Sequence, residues 1–132
     1  MKLSVEYLKN IDACSEAVKA FSEQKETDAV KVLKLCVVKN WHWANWLLVR
    51  LLDRPNSIRY AVFATQQILY LYENKYPSDK QPRKAVEAAM KVIEKDTSKT
   101  RTAAAIAGSA VAEMRTKIFD YGIELFRKQE AK

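Results

Sequence analysis

Nine residues, "NWHWANWLL" from Asn40 to Leu48, hold all three tryptophans and the single histidine of this chain. An imidazole close to a thiol suggests nucleophilic catalysis, in which a base activates a cysteine, and Cys36 lies just before this segment. Asn40 reads as a helix stop between them, so Cys36 and His42 fall on different helices and a structural role for each is favoured. Metal chemistry has little to work with either. A structural zinc wants four Cys or His ligands at close spacing, and the chain offers Cys14, Cys36 and His42. Glycine occurs only at positions 108 and 122, both inside helical patterns, so no phosphate-cradling loop, dinucleotide fingerprint or nucleophile elbow can be built. Acid–base work by a pair among the 16 acidic residues stays open, because single Asp or Glu residues carry no readable signature, and nothing in the sequence supports it. No catalytic residue, metal or cofactor is therefore expected, and the chain reads as no enzyme.

The tryptophans serve either a core or a contact surface. On a helix Trp43, Trp46, Leu47 and Arg50 share a face. Trp46 and Leu47 lead into Leu51 and are expected in the core. Trp41 stands at the helix entrance and is expected to be partly exposed beside His42, which is also spaced to stack on Trp46. An exposed tryptophan among basic residues stacks bases or anchors a protein interface.

About six helices carry these groups. Asp12 or Ser15 would cap a first one through Ala17, Val18 and Phe21. "TDAVKVLKLCVV" follows, with Val30, Leu33 and Val37 facing inward and Lys31 and Lys34 outward. The tryptophan helix comes next and ends near "LLDRPNS", where Pro55 breaks it. A fourth helix spans about Ser57 to Glu73, with Ile58, Val62, Thr65, Leu69 and Tyr72 as its buried stripe. The loop "NKYPSDKQPR" leads into a helix that starts at Pro82 and continues "RKAVEAAMKVIEK". The last and longest, about Thr100 to Lys128, is Ala-rich and turns Ala107, Val111, Met114, Ile118, Tyr121 and Leu125 to one side. Ala104, Gly108 and Ala112 on it would let a neighbouring helix come close. The expected fold is all-α: one compact helical domain over residues 1–132, with residues 1–11 loosely attached.

Composition agrees. Two glycines and three prolines in 132 residues cannot serve the hairpins of a β fold. Cys14 and Cys36 sit in apolar helical patterns and read as buried thiols of a reducing compartment. Glu6 and Lys9 interrupt the opening "MKLSVEYLKN", so no secretory signal is read there, and the longest uncharged runs are too short to span a bilayer. A cytoplasmic protein is expected. The formal charge of +7 favours acidic partners, and the basic excess is strongest between Asn74 and Arg101.

Three stretches, "ACSEAV", "NWHWANWLL" and "YPSDKQPRKAVEAAM", together resemble the small all-helical immunity proteins of bacterial polymorphic toxin systems, relatives of which are carried by phages. The third is the most specific. The family's proline–acidic–proline–arginine loop and the Ala-rich helix it opens correspond to Tyr76, Pro77, Asp79, Pro82, Arg83, Ala85, Glu87 and Ala88, and its tryptophan motif to Trp41 and Trp46-Leu47. This chain departs where the family places two adjacent acids and an arginine before the proline, since it has Asp79, Lys80 and Gln81. It also lacks a histidine in the last helix.

The resemblance implies an inhibitor that binds a toxin or nuclease directly, and a counter-defence inhibitor if the copy is phage-borne. Trp41, His42, Tyr76, Asp79, Lys80 and Arg83 are the expected contact residues. Read without the family, Asp79 caps a helix start, Arg83 and Glu87 pair along the helix, and the two prolines stiffen the loop. A nucleic-acid-binding protein is the alternative, with the basic residues of Asn74–Arg101 on phosphates and Trp41 stacking a base. No membrane partner is expected, and a homodimer through the last helix is compatible with either reading.

Overall fold

The computed structural model describes residues 1–80, 83–84, 87 and 112–132, and these form an all-α fold of six helices. They are α1 (Val5–Asn10), α2 (Ser15–Ser22), α3 (Ala29–Lys39), α4 (Trp41–Leu51), α5 (Arg54–Lys75) and α6 (Ala112–Glu130). Of the expected helix from Pro82 only Arg83, Lys84 and Glu87 are described, and they are helical; the first part of the last helix and the small residues Ala104 and Gly108 lie outside the described residues. Among the described residues no helix is long and apolar enough to cross a membrane.

Short polar side chains set most helix starts, because the first N–H groups of a helix lack partners within it. Ser4 accepts from the Tyr7 N–H at 3.0 Å, Asp28 from Lys31 at 3.1 Å and Asp53 from Asn56 at 2.9 Å. Asn40 serves two helices. Its backbone N–H closes α3 on the Cys36 carbonyl, and its Oδ1 opens α4 by accepting from the Trp43 N–H at 3.1 Å.

Several expectations need correction. The N-cap of α2 is Cys14, which makes no side-chain capping bond and is exposed, so this thiol is not buried. Asp12 instead ends the α1 turn at φ 61°, in the left-handed region. Cys36 is half-buried, and burial pushes its thiol pKa up. Pro55 does not break α4, which stops at Leu51; it sits in the first turn of α5, where its missing N–H costs nothing. Nor are residues 1–11 loose. Leu3 and Leu8 are buried in the core, the Leu3 N–H donates to the Thr27 carbonyl at 2.7 Å, and the Ala29 N–H donates to Met1 at 2.9 Å.

The core gathers Leu33 from α3, Ala44 and Leu48 from α4, Tyr60 and Ala64 from α5, and Ile118, Phe119 and Phe126 from α6. Arg115 stands over Trp41, Gly122 against Leu48 and Gln129 on Leu51, so α4 and α6 run parallel. Tyr60 bonds Asn45 and Asn56 reaches Gln129, so α5 runs antiparallel to both. Gly122 allows a close approach of α6 to α4 and α5. A Cβ there would lie 2.5 Å from Leu48 Cδ2 and 2.8 Å from the Tyr60 ring. The Tyr60 hydroxyl donates to Asn45 Oδ1 at 2.7 Å, both groups being buried, which satisfies a polar pair inside the apolar core. Gln129 fastens the α4–α5 turn: its Oε1 accepts from the Asp53 N–H at 2.7 Å, and its Nε2 donates to the Leu51 carbonyl at 3.0 Å.

Candidate functional site

The six residues singled out in the sequence form two separate clusters. One stands at the start of α4. Trp41 is half-buried, and its ring meets the exposed His42 edge to face at a centroid distance of 5.6 Å. The Arg115 guanidinium of α6 lies 4.8 Å from the Trp41 ring centroid. A cation over an aromatic face is attracted by the ring quadrupole, so one face of Trp41 is already used within the chain. The Trp41 Nε1–H is buried and makes no hydrogen bond among the described residues. Trp46 is half-buried against the core, with Arg50 3.6 Å from its ring centroid, so Arg50 rather than His42 is its stacking partner. The opening segment is thus mainly a packing element, with His42 on its outer side.

The second cluster is built on the C-terminal turn of α5 and the loop that leaves it. Tyr76 closes the helix, its N–H donating to the Tyr72 carbonyl at 2.8 Å. The loop then doubles back. The Asp79 N–H donates to the Tyr76 carbonyl at 3.2 Å, and the Tyr72 hydroxyl donates to Asp79 Oδ2 at 2.6 Å. Arg83 closes the arrangement as a fork on Glu73, its Nε donating to Oε2 at 3.0 Å and its Nη2 to Oε1. Two parallel charge-assisted bonds fix an arginine in orientation as well as in position. Tyr72 and Tyr76 pack ring to ring at 4.9 Å, and Lys75 lies 5.5 Å from the Tyr76 ring centroid.

The electrostatics follow from these pairs. The bond to Asp79 raises the Tyr72 pKa above its usual 10.0, because ionising the phenol would remove the donor and set two anions together. Arg83 holds the Glu73 carboxyl below its usual 4.5. Glu73 raises Arg83 in turn, and Glu87 adds attraction along the helix, so the expected Arg83–Glu87 pairing is secondary to the fork on Glu73. Asp79, expected as a helix cap, anchors the loop to α5 through Tyr72.

Two tethers therefore join Asp79 and Arg83 to α5, while Tyr76, Lys80 and the outer side of Arg83 face solvent. Tyr70, six residues before Tyr76 on α5, is exposed as well. Tyr72, Glu73, Tyr70 and Arg115 were not singled out from sequence. Tyr72 fits the inward stripe of its helix, and nothing in the spacing of Glu73 and Arg83 marks them as partners across a turn. Among the described residues no group of His, Cys, Asp and Glu is placed to hold a metal ion. Comparison with protein-family models finds no match, and comparisons with curated proteins and with solved structures find none either.

Proposed function

We propose that this chain is a non-enzymatic inhibitor of the immunity type, which binds a toxin or nuclease through the C-terminal end of α5 and the loop that follows. The observation that carries this reading is the tethered loop. Tyrosine and arginine dominate the energetics of protein contacts, and a surface already held in shape loses little entropy when it binds. Here Tyr76 and Arg83 stand on a segment fixed by Tyr72–Asp79 and Glu73–Arg83. The chemistry-bearing side chains of this region are also spent on structure, since Asp79 and Glu73 both serve as anchors. The charge of +7 then selects an acidic face on the partner.

A nucleic-acid partner is the second reading, favoured by the basic excess after Asn74. The occupied face of Trp41 counts against the stacking role expected for it. A tagged pull-down from host lysate, run with and without added nuclease, separates the two. One protein retained in both arms supports the inhibitor. Material lost on nuclease treatment, with binding that falls steeply as salt rises, overturns it in favour of nucleic acid.

A further inference from the structure

The outer side of α3 sets exposed apolar side chains among exposed lysines. Leu35 and Val38 are 55% and 86% exposed, while Ala29, Val32 and Leu33 on the opposite side are buried in the core. The helix thus cannot roll to hide the two apolar side chains without giving up its own core contacts. Leu35 and Val38 are three apart and form one stripe along the helix. Lys31, Lys34 and Lys39 are exposed beside them, and no acidic residue lies within Ala29–Lys39. Lys31 reaches back to the half-buried Glu26 at 3.9 Å, a long pair with an exposed lysine that is cheaply exchanged.

We propose that this face is a docking surface for an acidic amphipathic helix of a partner protein, which seats its apolar side chains on Leu35 and Val38 and its carboxylates against Lys31, Lys34 and Lys39. Charge chooses the occupant. A second copy of this chain would set lysines against lysines, a juxtaposition that opposes association. A nucleic acid would gain from the lysines but find aliphatic side chains where stacking needs aromatic ones. An acidic helix satisfies both halves of the face at once, by the helix-packing mode in which anchors recur every three or four residues. This surface is built on a different helix from the α5 loop and does not rest on the inhibitor reading. It gives the molecule a second contact, whether with the same partner or another.

The test uses the full chain and a synthetic helical peptide with leucines along one face and glutamates on either side. Its counterpart carries lysines in place of the glutamates. Binding is followed by amide and methyl NMR shifts. The acidic peptide is expected to bind saturably, with the largest shifts at Leu35 and Val38, and to weaken as salt is raised. Leu35→Ser with Val38→Ser should abolish the response, and Lys34→Glu with Lys39→Glu should weaken it by about fivefold or more. All four sites are exposed, so circular dichroism should be unchanged. Tyr76→Ala with Lys80→Glu in the loop should leave peptide binding intact. The proposal is overturned by equal response to both peptides, by shifts that map away from α3, or by no response to the acidic peptide. It is equally overturned if the protein alone self-associates through these residues, or if vesicles containing phosphatidylserine displace the peptide from them.

Discussion

Substituting Gly122 by alanine tests the packing that brings α4, α5 and α6 together. In an isolated helix the change would stabilise, by about 1 kcal/mol of backbone propensity. In this fold the new methyl would lie 2.5 Å from Leu48 Cδ2 and 2.8 and 3.0 Å from two Tyr60 ring carbons. Ordinary carbon contacts sit at about 3.5–4.0 Å, so both neighbours would have to move by an appreciable fraction of an ångström. Neither has room: both are fully buried, and Tyr60 is held by its bond to Asn45. Overpacking of a tight core costs about 1–3 kcal/mol, and three close contacts place this site in the upper half of that range. The net expectation is a loss of about 1–2 kcal/mol, or roughly 3–8 °C in Tm for a domain of this size. Thermal and urea denaturation followed by circular dichroism would measure it. Combining the change with Leu48→Ala should cost less than the sum of the two, because the clashing Cδ2 is gone. A Gly122→Ala protein as stable as the parent, or more so, would refute the described approach of α6 to α4 and α5.

Three further outcomes are expected. Cys14→Ser should stabilise by about 0.5–1 kcal/mol, since the extended N-cap of α2 lacks a side-chain acceptor that a hydroxyl supplies; a loss in chemical denaturation would contradict the assignment of that cap. Gln129→Ala should destabilise by about 1–2 kcal/mol, leaving the Leu51 carbonyl and the Asp53 N–H without their shared partner, and an unchanged urea midpoint would show the clasp to be idle. The loop tethers should hold across neutral pH and fail at both extremes. The Glu73 pKa is lowered on folding, so the stabilisation it brings is complete above 4.5 and lost as the pH falls through the folded value. The Tyr72 pKa is raised, so its stabilisation is complete below 10.0 and lost as the pH climbs through the folded value. NMR titration of the Arg83 Nε–H and the Tyr72 ring would follow each step, and a Tyr72 titrating below 10.0 would contradict its bond to Asp79.

How much of this was legible in the chain depends on whether the signal is local. Helix periodicity, the stop at Asn40 and the inward position of Leu33, Leu47 and Ile118 follow from residues within a few turns of one another, and the structure agrees. Errors arose where a residue's role is set by a distant partner or by competition between neighbours. Asp12 and Ser15 both look like caps, but the chain places Cys14 at that position because Asp12 is taken by the turn that ends α1. Leu3 is held in the core by strand-like pairing of Met1–Leu3 with Thr27–Ala29, which no local pattern near the start announces. Pro55 marks a boundary correctly yet belongs to the helix after it.

The candidate site was legible in composition and not in geometry. Tyr76, Asp79, Lys80 and Arg83 stand out as a polar, proline-flanked segment. That Asp79 and Arg83 turn back to Tyr72 and Glu73 depends on how the loop folds over α5, which spacing alone does not encode. Likewise Arg115 reaches Trp41 only because α4 and α6 run parallel, a matter of tertiary arrangement.

The central claim, that the loop after α5 is the contact surface for a protein partner, is tested most directly by comparing how much partner the parent chain and a Tyr76→Ala, Lys80→Glu variant retain from host lysate. Both residues are exposed and neither forms the Tyr72–Asp79 or Glu73–Arg83 tether, so the helical circular dichroism signal should be the same in the two proteins. The expected result is a partner held by the parent in nuclease-treated lysate and lost from the variant. Equal retention by both would contradict the claim and move the contact surface elsewhere on the molecule.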